Sequence, residues 1–414
     1  MSGVTKLVVG STFAVHPPRA GGQLRIFHLY RELARHCDVD VVALVDRDQP
    51  ASRRVLAPGL TEIRIPKSAR HDAAEAELRV TEVSVTDAAF PDLHSLTPAF
   101  SEAVSRSVTP GCALVASHPY TLPAMRAVDA RAAAWYDAHN VEADLKAAVL
   151  PRTPTGKRLL ARTRAVEREC CKQAQLVLAS SAEDAKRLRA LYRVPAARVK
   201  VIPNGVDTSA IRFVAPSERR TLRRRLRLER PLALFIGSWH EPNVVAARDV
   251  LRLAGEVPEV HFAIVGSVGI PLQPEARPDN VELFGVVADD LKEALLRVAA
   301  VALNPMLVGS GTNMKMLDYL AAGVPVVSTP VGVRGLDLDH ERDLRVVEPA
   351  EFAAAIRATL SDPDSVVDAR AREVRREIEQ RFDWTAVAAP LRGEIEPRDP
   401  AGNRVAPQRS AISA

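Results

Sequence analysis

Lys315 stands three residues before Asp318, just behind a glycine-broken loop, in the stretch VGSGTNMKMLDYLAAGVPVVSTPVGVRGL (residues 308–336). The spacing predicts a short helix over about 313–322, capped by Thr312 or Asn313 and stopped at Gly323. Met314, Met316, Leu317, Leu320 and Ala321 fall on one apolar arc. Lys315 and Asp318 are left on the other face, roughly 60° apart. A lysine in a first turn opposes the partial positive charge of the helix's amino end, by roughly a few tenths of a kcal/mol. An anion seated there would neutralise it. Gly309 and Gly311, with Ser310 between them, free the backbone to present N–H groups as phosphate-cradling loops do. This chemistry reads as a phosphate seat, with Asp318 one turn deeper and able to accept from a sugar hydroxyl. A solvated Lys–Asp pair on a surface helix is the open alternative.

A second set of residues lies in the first half. His118 ends the apolar run CALVASH, and His139 with Asn140 ends AAAWYDAHN, two residues before Glu142. Histidines at the carboxyl ends of two strands of one parallel sheet face the same ligand crevice. Gly21 and Gly22 follow the first apolar run and precede a helical stretch. The missing Cβ atoms allow close approach to a ligand, or simply a tight turn. The triplets DVD (38–40), DRD (46–48) and DLD (337–339) have metal-binding spacing, but acidic triplets arise by chance in a chain with 51 Asp and Glu residues, and metal binding is not expected.

The elements that must hold these residues alternate along the chain. KLVVGST, VDVVALV, TEIRIP, CALVAS, AAAWYDA and QLVLASS read as strands, with amphipathic stretches such as QLRIFHLYRELARH and SSAEDAKRLRALY between most of them. Ser180-Ser181 with Glu183 and Asp184 marks the start of the second of these helices. After VIPNGVDTSA (201–210) the alternation pauses, then resumes with PLALFIG, VHFAIVG, VELFG, AVALNP and VPVVST. The seam lies near 206–230. This predicts an α/β chain of two doubly wound domains, 1–205 and 206–383. A C-terminal segment, 384–414, loses apolar periodicity and ends in a tail of disordered composition.

Bulk properties set the class. The 414 residues are 47% hydrophobic and 26% charged, enough for two or three globular domains. A net charge of +5 favours anionic ligands without demanding nucleic acid. The arginine-rich stretch SERRTLRRRLRLERP lacks the aromatic interleaving of base-stacking segments, so a solvated helix beside the seam is expected. Cys37, Cys112, Cys170 and Cys171 form no CxxC or Cys/His cluster and read as reduced thiols in the cytoplasm. The opening residues read as a first strand, since their apolar run is short and His16-Pro17-Pro18-Arg19 follows it. No run approaches the roughly 18 apolar residues of a membrane span.

The 308–336 stretch resembles the donor-binding segment of the retaining GT-B glycosyltransferases, specifically family 4. The resemblance extends, in family order, through HPPRAGGQLRIFHLYRELA, ASHPYTLPAM, YDAHNVEADL, VIPNGVD and FIGSWHEPNVVAA. It implies two Rossmann-like domains facing across a cleft, with a nucleotide-sugar donor on the C-terminal side and a sugar, lipid-linked or small-molecule acceptor on the N-terminal side. No cofactor, metal or nucleic acid is implied. Location is cytoplasmic, with peripheral contact at the inner membrane face open. The family's paired acidic residues, with seven residues between them, align with Ser310 and Asp318, so the first carboxylate is absent. The arginine and lysine that usually follow the first strand of the second domain are also absent from GSWHEPN (237–243). Lys315 is expected to supply that charge. The implied donor side comprises Gly21, Gly22, Ser238, Asn243, Gly309, Ser310, Gly311, Thr312, Asn313, Lys315 and Asp318. His118, His139 and Glu142 are the candidate catalytic residues, and Asn140 belongs to the acceptor side. A nucleotide-sugar epimerase of the same fold, or a catalytically silent GT-B protein, are the alternative readings.

Overall fold

Short apolar runs become the strands of two mainly parallel sheets, because β-branched and aliphatic residues buried on both faces need helices above and below. The computed structural model describes residues 4–80, 84–308, 312–339 and 344–395. One unit runs to Pro203 and takes in the segment from Val387, and the other is Asn204–Ala386.

The first unit contains β1 (Lys6–Ser11), β2 (Asp38–Val45), β3 (Ser52–Ala57), β4 (Leu60–Pro66), β5 (Cys112–Ser117), β6 (Ala133–Ala138), β7 (Leu176–Ala179) and β8 (Val199–Val201), in the order β3-β4-β2-β1-β5-β6-β7-β8. β1 runs parallel to both β2 and β5, in register from Lys6↔Cys112 to Gly10↔Ala116 on the β5 side. The strand order reverses between β1 and β5, so the carboxyl ends of these two strands open the ligand crevice.

The second unit contains β9 (Leu232–Ile236), β10 (His261–Val265), β11 (Val281–Gly285), β12 (Val301–Asn304), β13 (Val326–Ser328) and β14 (Arg345–Val346), ordered β11-β10-β9-β12-β13-β14 and parallel throughout. Its reversal lies between β9 and β12. The GSWHEPN turn leaves the first of these strands, and the chain leading to Lys315 leaves the second.

The helix carrying Lys315 spans Met314–Ala322. It buries Met316, Leu317, Tyr319 and Leu320, each contributing about 1.5–3 kcal/mol of apolar transfer. Gly323 ends it at φ 77°, where a Cβ would stand 2.6 Å from the Phe213 ring. Only glycine meets both demands.

Four expectations need correction. β3 is antiparallel to β4, an exposed edge strand with no apolar signal. Gly21 and Gly22 form the first turn of the Gly21–Leu33 helix rather than a turn ahead of it. The chain after residue 383 keeps its periodicity for one more helix, Trp384–Ile395, which buries Trp384, Val387, Ala388, Leu391 and Ile395; residues 396–414 lie outside the described residues. The arginine-rich Pro216–Arg225 helix is not wholly solvated. Arg219 is fully buried and donates to the carbonyls of Val214, Leu296 and Ala322. Desolvation lowers its pKa to about 9, while its charge caps the carboxyl end of the Lys315 helix.

Candidate functional site

In the second unit, β9 buries Phe235 and ends at Ile236, and the Glu241–Glu256 helix starts five residues after that end. Asn243 lies in that helix's first turn. Its amide nitrogen donates to Ser238 O and Oγ at 3.1 and 3.3 Å, which aims its oxygen at Lys315. The Lys315 ammonium donates to Asn243 Oδ1 at 2.8 Å and sits 4.3 Å from the centre of the Phe235 ring. Among the described residues no carboxylate pairs with it. Desolvation lowers its pKa to about 7. An amide and an aromatic face hold an ammonium in place but do not cancel its charge.

Asp318 does not pair with Lys315. Lys292 binds it at 2.6 Å, and Asp318 keeps about a fifth of its side-chain surface exposed. The surface Lys315–Asp318 pair is thereby excluded. Asn313 occupies the N-cap position but makes no side-chain cap; its amide donates to Gly332 O at 3.0 Å. Thr312 is buried, and its carbonyl accepts from Asn204 at 3.4 Å. Gly309, Ser310 and Gly311 lie outside the described residues.

In the first unit, His118 leaves β5 with φ 65° and ψ 150°, a strained backbone for a residue with a Cβ. Its ring lies 4.2 Å from that of His139 and 5.7 Å from that of Phe13. Nε2 stands 3.8 Å from Glu142 Oε1, and Nδ1 is buried without a hydrogen-bond partner. Glu142 is buried. Its carboxylate accepts from Tyr120 at 2.8 Å and Asn140 at 3.3 Å, so it orients its neighbours rather than facing solvent. His139 Nε2 lies 2.8 Å from Ser117 Oγ and 3.4 Å from Asp137 Oδ2. Desolvation, reinforced by His118, lowers the His139 pKa to about 3, so the ring is neutral at physiological pH. A Cβ on Gly22 would stand 3.0 Å from Phe13 and 3.5 Å from His139 Nδ1; glycine there keeps the ring edge clear.

Sequence reasoning missed the residues beneath this cluster. Arg25 binds Asp137 at 2.8 Å with both side chains buried, and donates to Ile202 O at 2.8 Å. Burial pushes the Asp137 carboxyl up, but Arg25 and then His139 overcome it and hold the group well below the usual carboxylate range. Glu167 accepts from Tyr136, Tyr192 and the N–H groups of Glu142 and Ala143 at 2.6–3.0 Å, capping the Glu142–Val149 helix. Both charges sit on apolar stripes: Arg25 with Leu29 and Leu33, Glu167 with Thr163 and Cys170. A charge on the buried face of a helix was the available signal.

A pocket of about 440 Å³ opens beside His118, lined among others by Phe13, Asp46, Lys67, Thr86 and Asp87. Among the described residues no three His, Cys, Asp or Glu side chains are placed to share a metal ion, and no helix is long and apolar enough to cross a membrane.

Known proteins resemble this chain in sequence and in fold. The sequence profile described as Glycosyltransferase Family 4 matches residues 19–210, and the profile described as Glycosyl transferases group 1 matches residues 230–362. The phosphatidyl-myo-inositol mannosyltransferase of Mycolicibacterium smegmatis is 29% identical over 220 residues, 49% of this chain and 53% of that protein. The chain spans about half the length of the curated relatives it matches. Among solved structures, the sucrose-phosphate synthase of Thermosynechococcus elongatus superposes with a TM-score of 0.72 at 17% identity, over 93% of this chain and 97% of that one. Anabaena HepE in complex with UDP and glucose gives 0.64 at 14%, over 93% and 98%. The fold is GT-B. With two profiles matching successive parts of the chain, it belongs to the family 4-like glycosyl transferases of group 1.

Proposed function

We propose that the chain moves a sugar from a nucleoside-diphosphate donor to a hydroxyl-bearing acceptor, with retention of anomeric configuration. The observation that carries this reading is the Lys315 ammonium, held at the crevice of the second unit with a neutral amide as its hydrogen-bond partner and no carboxylate among the described residues. A diphosphate supplies the missing negative charge. Asp318 accepts from the ribose, and Ser238 with Asn243 keeps Lys315 aimed. The first unit binds the acceptor. His118, set by Glu142 and packed against neutral His139, orients the attacking hydroxyl.

In the transfer step the acceptor oxygen bonds to the anomeric carbon as the bond from that carbon to the phosphate oxygen breaks. The hydroxyl proton passes to the departing phosphate on the same face, and Lys315 stabilises the negative charge that collects there. No enzyme nucleophile and no metal enters this scheme. Four free cysteines, three of them buried, fit a reducing cytoplasm.

Titration calorimetry with UDP, GDP and ADP tests the donor seat. Lys315→Ala is expected to weaken the best of them by about ten- to a hundredfold, the usual worth of a charge-assisted bond. Unchanged affinity removes Lys315 from the donor site. Nucleotide release that depends on added acceptor identifies transfer; conversion of the donor sugar without acceptor would replace it with epimerisation.

A further inference from the structure

The pocket beside His118 has carboxylates on its wall and a cation whose bonds are all taken. Lys67 has three N–H donors. They go to Asp46 at 2.9 Å, Glu75 at 3.0 Å and Thr86 at 3.0 Å, and its side chain is only 3% exposed. The neighbouring ammonium, Lys146, is paired with Asp87 at 2.6 Å. Three carboxylates, Asp46, Glu75 and Asp87, thus face two ammoniums. No arginine lines the pocket among the described residues. Asp46 remains about two-thirds exposed, so its carboxylate has room for further donors. Phe13 adds an apolar ring to the lining of the same pocket.

We infer that this pocket takes an uncharged polyhydroxy ligand, a sugar or polyol bearing neither phosphate nor amine, as the acceptor. The inference rests on the reading that the first unit binds the acceptor. A hydroxyl donates to Asp46 and Asp87 without displacing their lysines, and the Phe13 ring covers an apolar face of a sugar ring. A phosphate ester brings acceptors only. It meets carboxylates, and it could recruit Lys67 only by breaking a buried ion pair. An amine is cationic and would stand beside the Lys67 and Lys146 ammoniums, whose repulsion offsets what the open side of Asp46 could offer it.

The test uses the full chain without donor, titrated with methyl hexosides and myo-inositol, each beside its monophosphate, and with the 2-amino hexosides. The uncharged member of each set is expected to bind at least about tenfold more tightly than its charged counterparts. Asp46→Asn, at an exposed position where folding is not at stake, frees charge on Lys67 and is expected to narrow the preference over phosphate esters by about fivefold, more at low salt. Equal or tighter binding of the esters or amines overturns the inference. So does the absence of any uncharged ligand binding below about 50 mM, weaker than a useful subsite. Nucleoside-diphosphate binding on the same sample reports separately. A chain that binds nucleotide but prefers esters refutes the neutral-acceptor inference alone. One that binds uncharged polyols but no nucleotide supports the pocket's chemistry and refutes sugar transfer.

Discussion

The two crevices of this molecule handle charge in opposite ways. Beneath the histidines of the first unit, the buried network is closed on itself. Arg25 meets Asp137, His139 is neutral against Ser117 and Asp137, and Glu167 takes four donors. In the second unit, among the described residues, Lys315 has the oxygen of Asn243, the sulfur of Met306 at 3.9 Å and the Phe235 face. A saturated network fixes geometry and has little left to offer a ligand. An unsaturated charge is a site in waiting, with a stability cost until something anionic arrives. The difference separates residues that position from residues that bind.

The largest effect is expected where saturation is deepest. Asp137→Ala strands the Arg25 guanidinium in the core, and removing one partner of a buried pair costs about 3–5 kcal/mol. Denaturant unfolding of the variant should show that loss while nucleotide binding at the second unit persists. Asp137→Asn, which keeps the shape, should lose less. A variant as stable as the parent would mean that Arg25 finds other acceptors and that the network is less closed than its distances imply.

Lys315 predicts the reverse sign. Its native pKa, about 7, lies below the ordinary lysine value of 10.5. Between those values the unfolded chain binds more protons, so this residue makes stability rise with pH there; below about pH 7 its full cost is present. Lys315→Met should therefore raise the melting temperature of the ligand-free chain near pH 7, by roughly 2–4 °C for each kcal/mol recovered. Donor binding needs the charged form. Affinity should be flat below about pH 7 and fall by up to about tenfold per unit above it, while Lys315→Arg, always charged, should flatten that profile. A parental profile unchanged from pH 6 to 9 would remove the ammonium from donor binding.

Much of the framework was legible because parallel strands buried on both faces read as apolar runs; of the fourteen strands among the described residues, eleven announce themselves that way. The three that do not have physical reasons. β3 is polar and exposed at an edge, β8 has three residues and β14 has two. The Trp384–Ile395 helix was hidden by Pro390 and Gly393, although its buried residues recur at helical spacing. At the site, Lys315 was visible because its charge conflicts with its place in the helix. Its partner was not. Asn243 is 72 residues away, as Asp137 is 112 from Arg25, and only the fold brings such pairs together. The Lys292–Asp318 pair was missed for the same reason, and with it the fact that Lys315 stands without a carboxylate.

Glu167 tests whether positioning can be separated from binding within the saturated unit. Desolvation raises its pKa from 4.5 to about 7. Native Glu167 therefore holds its proton more firmly than the unfolded chain does, and the stability it contributes is lost as pH rises from about 4.5 through 7. Glu167→Gln keeps one oxygen for two of the four donors but turns an amide towards the others. That should cost about 1–2 kcal/mol, as for a buried donor left unmatched. If Glu167 acts through the start of the Glu142–Val149 helix, kcat should fall severalfold with nucleotide affinity unchanged, and stability should lose the fall with rising pH that Glu167 contributes between about 4.5 and 7. A fall in nucleotide affinity would show that the two crevices are coupled.

The smallest change sharpens the contrast most. Asn243→Asp puts a carboxylate 2.8 Å from the Lys315 ammonium, where an amide oxygen now stands. The second crevice then resembles the first, with a charge satisfied from within. The pair should raise the Lys315 pKa towards its ordinary value and stabilise the ligand-free chain by about 1 kcal/mol, since part of the gain offsets desolvation of the new carboxylate. The same carboxylate now competes with the diphosphate, so donor affinity should fall by about three- to tenfold although Lys315 itself has lost no contact; the amide bond to Ser238 O, which Asp cannot make, trims the gain in stability. Higher stability with weaker binding is the signature of a charge kept unsatisfied for its ligand. Higher stability with donor affinity intact would mean that Lys315 never faced the phosphate, and that the second unit recognises its ligand through other groups.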